Sequence, residues 1–402
     1  MFGFFKKNNE AKVYGNHEIK EEQEIMETET AAAFAVTDFG VRLLQHSMKK
    51  EIIKGEENKN ILVSPLSVLC ALAMTANGAR GETLSQMEEV FGASLNELNP
   101  FLGSYILTPP LGAVKLHLAN AIWVQDGMDF TVSQDFLQTN KKYFDFEVHQ
   151  APFDETTWNH INHWVCKQTE GMIQKILDCI GREAVMYLVN ALAFQSKWEK
   201  AYEQESVRKG KFFQEDKAVQ EIDFMYGEEH LYLKEDNAEG FIKYYKGSQY
   251  AFAALLPRKG LKVSEYVASL TGKRIQQILS NAEDIEVKTA LPKFEMEYGI
   301  DLSEVLHKMG IKDAFSPQRA DFSGMGSLGG EKIYFDQVIH KTFISVDEKG
   351  TKAGAATLVG IRCLCAKPKE KPKKVYLDRP FVYMIIDCNN NMPIFIGIKK
   401  LA

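Results

Sequence analysis

The chain has 402 residues, 45% of them hydrophobic and 25% charged, enough apolar content to fill a sizeable core. Its 48 basic and 54 acidic residues leave a net charge of −6, which gives no global reason to expect nucleic acid or an anionic membrane as partner. No apolar run approaches the length needed to cross a bilayer, and six scattered cysteines, Cys70, Cys166, Cys179, Cys363, Cys365 and Cys388, are too few for a disulfide scaffold and read as free thiols.

The first stretch, MFGFFKKNNEAKVYGNHEIKEEQE, has a short apolar start and then charges. A secretory leader needs a longer apolar core, so the chain is expected to be cytoplasmic, with an extracellular home as the alternative. Residues 1–30 lack apolar periodicity and read as a charged tail or irregular lead-in. From Thr30 the pattern turns helical, with Val36, Phe39, Leu43 and Leu44 on one face.

In NILVSPLSVLCALAMTANG, Ile61 to Val63 reads as a short buried strand. Ser64 is a good N-cap, Pro65 a good first helical residue and Asn77-Gly78 a stop. Thr83 to Phe91 reads as a second helix ending at Gly92. KLHLANAIWVQ is strand-like, and TTWNHINHWVCKQTEG is helical up to a break at Glu170-Gly171. AVMYLVNALAFQSKW is apolar and long enough for a buried central strand.

Strands follow within 230–256 and 285–297, and DLSEVLHKMGI is a short amphipathic helix. In KIYFDQVIHKTFISVDE both alternating faces carry apolar residues, as in an inner strand. PFVYMIID, CNNNMP and IFIGI form a hairpin pattern. Strands and helices mix without βαβ alternation, which predicts an α+β fold with large antiparallel or mixed sheets. No Pro/Ser-rich linker divides residues 31–345, so residues 31–402 read as a single domain.

Several motifs suggest chemistry, and local context weighs against each. Gly324 to Gly329 fits G-x-G-x-x-G, but a polar segment precedes it and a strand follows, so it reads as a loop. Ser327 is not in a nucleophile elbow, because Met occupies position 325. His160, His163 and Cys166 share a predicted helix without a fourth ligand at metal-site spacing. Cys363 and Cys365 flank Leu364, a pattern open to soft metals or oxidants, and are read as loop thiols. The lysines from Lys367 to Lys374 read as a solvated tether. His340 sits within the two-faced apolar strand, where a buried imidazole must find a hydrogen-bond partner. No metal or cofactor is expected.

ISVDEKGTKAGAAT, residues 344–357, resembles the hinge of a serpin: Glu348, Gly350 and Thr351, the small run Ala353, Gly354, Ala355 and Ala356, then Thr357. The resemblance extends in order through NILVSPLSV, TEGMIQKIL, LVNALAFQSKW, LPKFEMEYGIDLSEVLHKMGI, AFSPQRADFSGM, VIHKTFISVDEKGT and RPFVYMII…MPIFIG. It implies three β-sheets, eight or nine α-helices and an exposed reactive-centre loop, about residues 349–376, presented as protease bait. It further implies that the cleaved, acylated loop inserts as a new strand in the large sheet and drags the protease with it.

Residue by residue, the resemblance makes Ser64, Ser67, Asn190 and His340 a shutter beneath the opening sheet. It places the scissile bond after the seventeenth residue counted from Glu348, between Leu364 and Cys365. Arg362, followed by Cys363, is the alternative. Leu364 suits chymotrypsin-like or elastase-like enzymes, with papain-like enzymes also open, and Arg362 would suit trypsin-like ones.

The chain after Cys365 is longer than in familiar inhibitors of the family, and Lys352 stands where Glu is common. Residues 93–118 carry no basic cluster, so heparin-type activation is not expected. The expected activity is suicide inhibition of a serine or cysteine endopeptidase by a metastable monomer, not an enzyme. The alternative is a non-inhibitory member that binds, stores or chaperones.

Overall fold

The computed structural model describes residues 16–108, 114–126, 130–144, 146–180, 186–330, 332–351 and 371–401, without the side chains of 16–26, 118, 119, 188, 190 and 328. Helix α1 runs from Asn16 to Ile53, which corrects the reading of residues 1–30 as a tail for its second half, residues 16–30; residues 1–15 lie outside the described residues. Glu, Lys, Gln, Met and Ala favour helix strongly, and a helix nucleated further along extends through them without an apolar stripe. Its buried face is the expected one, with Val36, Phe39, Leu43 and Leu44 fully covered.

Strand β1 (Ile61–Val63) leads into α2 (Pro65–Ala76), every residue of which is buried. Ser64 caps α2 as predicted, its hydroxyl accepting from the Ser67 N–H at 3.2 Å. Helices α3 (Gly81–Phe91) and α4 (Leu95–Leu107) follow, α3 ending at a left-handed Gly92. Then come β2 (Lys115–Gln125), β3 (Phe130–Val132), α5 (Gln134–Phe144), β4 (Glu147–Ala151) and α6 (Glu155–Gln168). The predicted break after α6 is present, with Glu170 and Gly171 both at positive φ.

The long apolar run forms β5 (Met186–Lys197). It is followed by β6 (Val207–Phe213), β7 (Val219–Lys234), β8 (Ala238–Tyr244) and β9 (Tyr250–Pro257). After α7 (Val263–Ser269) and α8 (Gly272–Ser280) come β10 (Glu283–Pro292), β11 (Phe294–Asp301), α9 (Ser303–Met309) and β12 (Gly326–Leu328). The chain closes with β13 (Ile339–Asp347), β14 (Gly350–Thr351), β15 (Lys373–Tyr376), β16 (Phe381–Asp387) and β17 (Met392–Lys399).

Among the described residues these strands form three sheets. A nine-stranded sheet runs β1-β17-β16-β9-β8-β7-β10-β15, with β6 on β7. A six-stranded sheet runs β11-β13-β14-β5-β2-β4, and β3 pairs with β12. The predicted hairpin is β16–β17, buried along its whole length. The expected inner strand is β13, although its second face is half-buried rather than covered.

The glycine-rich stretch becomes β12, and among the described residues the next element is the strand β13 rather than a phosphate-binding helix. His160 and His163 are exposed on α6, and no group of three metal-binding side chains gathers among the described residues. Cys70, Cys166, Cys179 and Cys388 are free thiols.

Candidate functional site

The loop expected over about 349–376 begins and ends inside sheets. Gly350 and Thr351 form β14, between β13 and β5, and Lys373 to Tyr376 form β15, parallel to β10. The lysine-rich tether is therefore shorter than the sequence suggested. Val375 is fully buried while its lysine neighbours stay exposed, as suits a charged edge strand.

At the other end, β13 turns back on itself through Glu348 and Lys349. The Asp347 carboxylate holds the turn, accepting from the N–H groups of Lys349 at 2.8 Å and Gly350 at 3.0 Å. Gly350 has φ +150, and a Cβ there would lie 2.2 Å from the Ser196 carbonyl oxygen. Only glycine fits that approach. The returning chain then pairs Thr351 with Val346 on one side and Ser196 on the other.

An aromatic group holds this two-residue strand. The Trp198 ring stacks on Tyr245, centroids 4.5 Å apart, and its Nε1–H donates to the Asp347 carbonyl at 2.8 Å. The hydroxyls of Tyr245 and Thr351 share a buried hydrogen bond of 2.7 Å. The backbone N–H groups of Trp198 and Tyr202 donate to the carbonyls of Lys349 and Glu348, at 3.0 and 2.9 Å. Lys293 pairs with Glu348 at 2.6 Å, which holds the carboxyl below and the ammonium above their usual ranges.

Below this wedge the sheet is shut. Thr342 of β13 meets Leu192 of β5 directly, in parallel register. His340 and Thr342 tie β13 to the elements beneath. His340 is 3% exposed, and burial pushes its pKa down to about 3. The neutral ring accepts the Ser64 N–H at Nε2, 3.1 Å away. The Ser64 hydroxyl donates to the Ile394 carbonyl at 2.7 Å, and the Thr342 hydroxyl to the Leu62 carbonyl at 2.9 Å.

The expected shutter residues Ser64, Ser67 and His340 thus lie together. Asn190 sits on β5 opposite Asn120, and its side chain lies outside the described residues. Ala353, Gly354, Ala355, Ala356, Thr357, Arg362, Cys363, Leu364 and Cys365 also lie outside them.

Sequence reasoning missed Tyr245, Tyr202 and Lys293 around the hinge. Their partners are far away in the chain (Tyr245 and Thr351 are 106 positions apart), so no local pattern marks them. The one available signal was Trp198 at the end of the central strand, a large ring that needs a covered site for its N–H.

A family model described as serpin (serine protease inhibitor) matches residues 34–399. An uncharacterized serpin-like protein of Thermococcus kodakarensis is 31% identical over 348 residues, 85% of this chain and 80% of its own length. Among solved structures, the thermophilic serpin tengpin in its native state aligns with a TM-score of 0.84 at 43% identity, covering 92% of this chain and 94% of that one. Tengpin in its latent state aligns with a TM-score of 0.79 at 41% identity, covering 91% and 96%.

Proposed function

The chain belongs to the serpin family, and on that premise we propose that it is an inhibitory member, a monomeric suicide substrate for a serine endopeptidase. The single observation that carries this reading is β14. Two hinge residues, Gly350 and Thr351, already pair with both strands that would receive the loop.

Both ladders extend in one register. Stepping four residues down from Thr351 brings Ala355 opposite Thr342 on one side and opposite Leu192 on the other. Those two residues now touch each other. Two further steps bring Thr357 between His340 and Asn190. Every residue from Ala353 to Thr357 is small, so the strand can pass between its neighbours with little displaced volume. No proline interrupts the new ladder before Pro368.

Each inserted residue adds about two ladder hydrogen bonds, each worth roughly 1 kcal/mol net. Insertion of residues 352–364 moves the cut end roughly 43 Å, at ~3.3 Å per residue. A protease acylated there is carried the length of the sheet. Leu364 as the bait residue favours a chymotrypsin-like or elastase-like target.

The test is incubation with chymotrypsin, elastase, trypsin and papain in parallel, read by denaturing gel and mass spectrometry. A stable complex with chymotrypsin or elastase, together with a released peptide beginning at Cys365, is expected. Clean cleavage by all four enzymes without any complex would overturn the reading.

A further inference from the structure

A cleft of about 390 Å³ lies beside the hinge turn, between the chain that follows β5 and the face of β6, β7, β10 and β15. Two buried residues border it: Tyr202 is 8% exposed and Thr289 1%, both line the cleft, and among the described residues their hydroxyls have no partner beyond each other.

The walls specify more. The rings of Tyr226 and Tyr376 meet edge to face, centroids 6.1 Å apart at 85°, and form a corner for a flat ring. Gly227 lets the Tyr202 ring lie against β7, since a Cβ there would come within 2.8 Å of it. The Arg208 guanidinium sits over Tyr226 at 4.6 Å. Among the described residues neither Arg208 nor Lys288 makes an ion pair, and Lys374 lies across from Lys288 on the next strand. Of the carboxylates at the cleft, Glu229 is already taken by Lys243 at 2.7 Å. Glu203 and Glu228 remain at the rim, opposed by Lys200, Arg208 and Lys288.

We propose that this cleft is a binding site for a small aromatic acid, its ring against Tyr226 and Tyr376 and its acid group toward Arg208 and Lys288. The volume lies within the range of small-molecule pockets. Binding here is independent of protease inhibition and is read without a protease. It nevertheless bears on the hinge, because the Tyr202 N–H holds the Glu348 carbonyl at 2.9 Å.

The probe is naphthalene-2-carboxylate, titrated calorimetrically into the full chain, with hydrogen exchange to locate it. One-to-one saturable binding is expected, with slowed exchange in the segments 200–208 and 225–230. Arg208 and Lys288 are both exposed, so the double variant Arg208→Glu, Lys288→Glu keeps the fold, checked by an unchanged melting curve. It binds the probe about tenfold more weakly or worse, and the neutral naphthalene-2-methanol is weaker by a similar factor on the wild type, a difference of about 1.4 kcal/mol. Three results would each overturn the site: no saturation by about 1 mM, equal affinity in the double variant, or exchange changes confined to other segments.

Discussion

Thr342 of β13 lies directly across from Leu192 of β5, and the two ladders that hold Thr351 both run down to that pair. The six-stranded sheet is therefore wedged open at its upper end by two hinge residues and closed four residues below. Among the described residues Thr342 and Leu192 are the one register pair between β13 and β5, and a lengthening strand must break it.

That register predicts the effect of Ala355→Glu. The new carboxylate would have to pass between Thr342, which is fully buried, and Leu192, also fully buried. Burying it unpaired costs several kcal/mol, and a barrier raised by about 3 kcal/mol slows insertion roughly a hundredfold. The variant is expected to be cleaved at the wild-type rate while the stable complex disappears from denaturing gels. An unchanged ratio of complex to cleaved product would refute the register.

Tyr245→Phe tests what keeps β14 in the sheet. The substitution leaves the Thr351 hydroxyl, on a residue 1% exposed, without its 2.7 Å partner, at a cost of about 1–3 kcal/mol. Amide exchange at Gly350 and Thr351 should accelerate by about tenfold or more, while the strands β16 and β17 keep their protection. Equal protection at Thr351 in both proteins would show that the hydroxyl pair does not hold the strand.

His340 gives a pH dependence with a definite sign. Its folded pKa of about 3 lies below the ordinary 6.5, so between those values the unfolded chain binds a proton that the folded chain does not. Stability is then fully present above pH 6.5 and falls as pH drops, by up to about 1.4 kcal/mol per unit. His46, also lowered, first by burial and then by Lys49, Arg42 and Lys308, acts in the same direction. Denaturant midpoints of the wild type and His340→Gln, measured from pH 7 to pH 4.5, should converge as the wild type loses its advantage. Parallel curves would contradict a buried neutral imidazole.

Much of this architecture was legible because its signals are local. Ser64 and Pro65 announce the start of α2 within two residues, and the alternation of β13 places His340 and Thr342 on one face. The hinge was legible as a run of small residues after Glu348. Its present position was not, because Gly350 and Thr351 are equally compatible with a free loop and with a strand. What decides is the clamp formed by Asp347, Trp198 and Tyr245, assembled from distant parts of the chain. The start of α1 was missed because helix propensity acts there without periodicity. β15 was missed because Val375 alone is buried among lysines.

The account rests on a sheet that accepts the loop as a strand, and the most direct test is the unfolding temperature before and after one cut within residues 352–370. A net gain of about 5–10 kcal/mol, left after the ordering entropy of the new strand offsets most of its ladder, raises the midpoint by roughly 6–12 °C in a chain of this length. The cleaved protein is predicted to unfold at least that much higher than the intact one. A midpoint that stays level or falls after the cut would contradict insertion between β13 and β5.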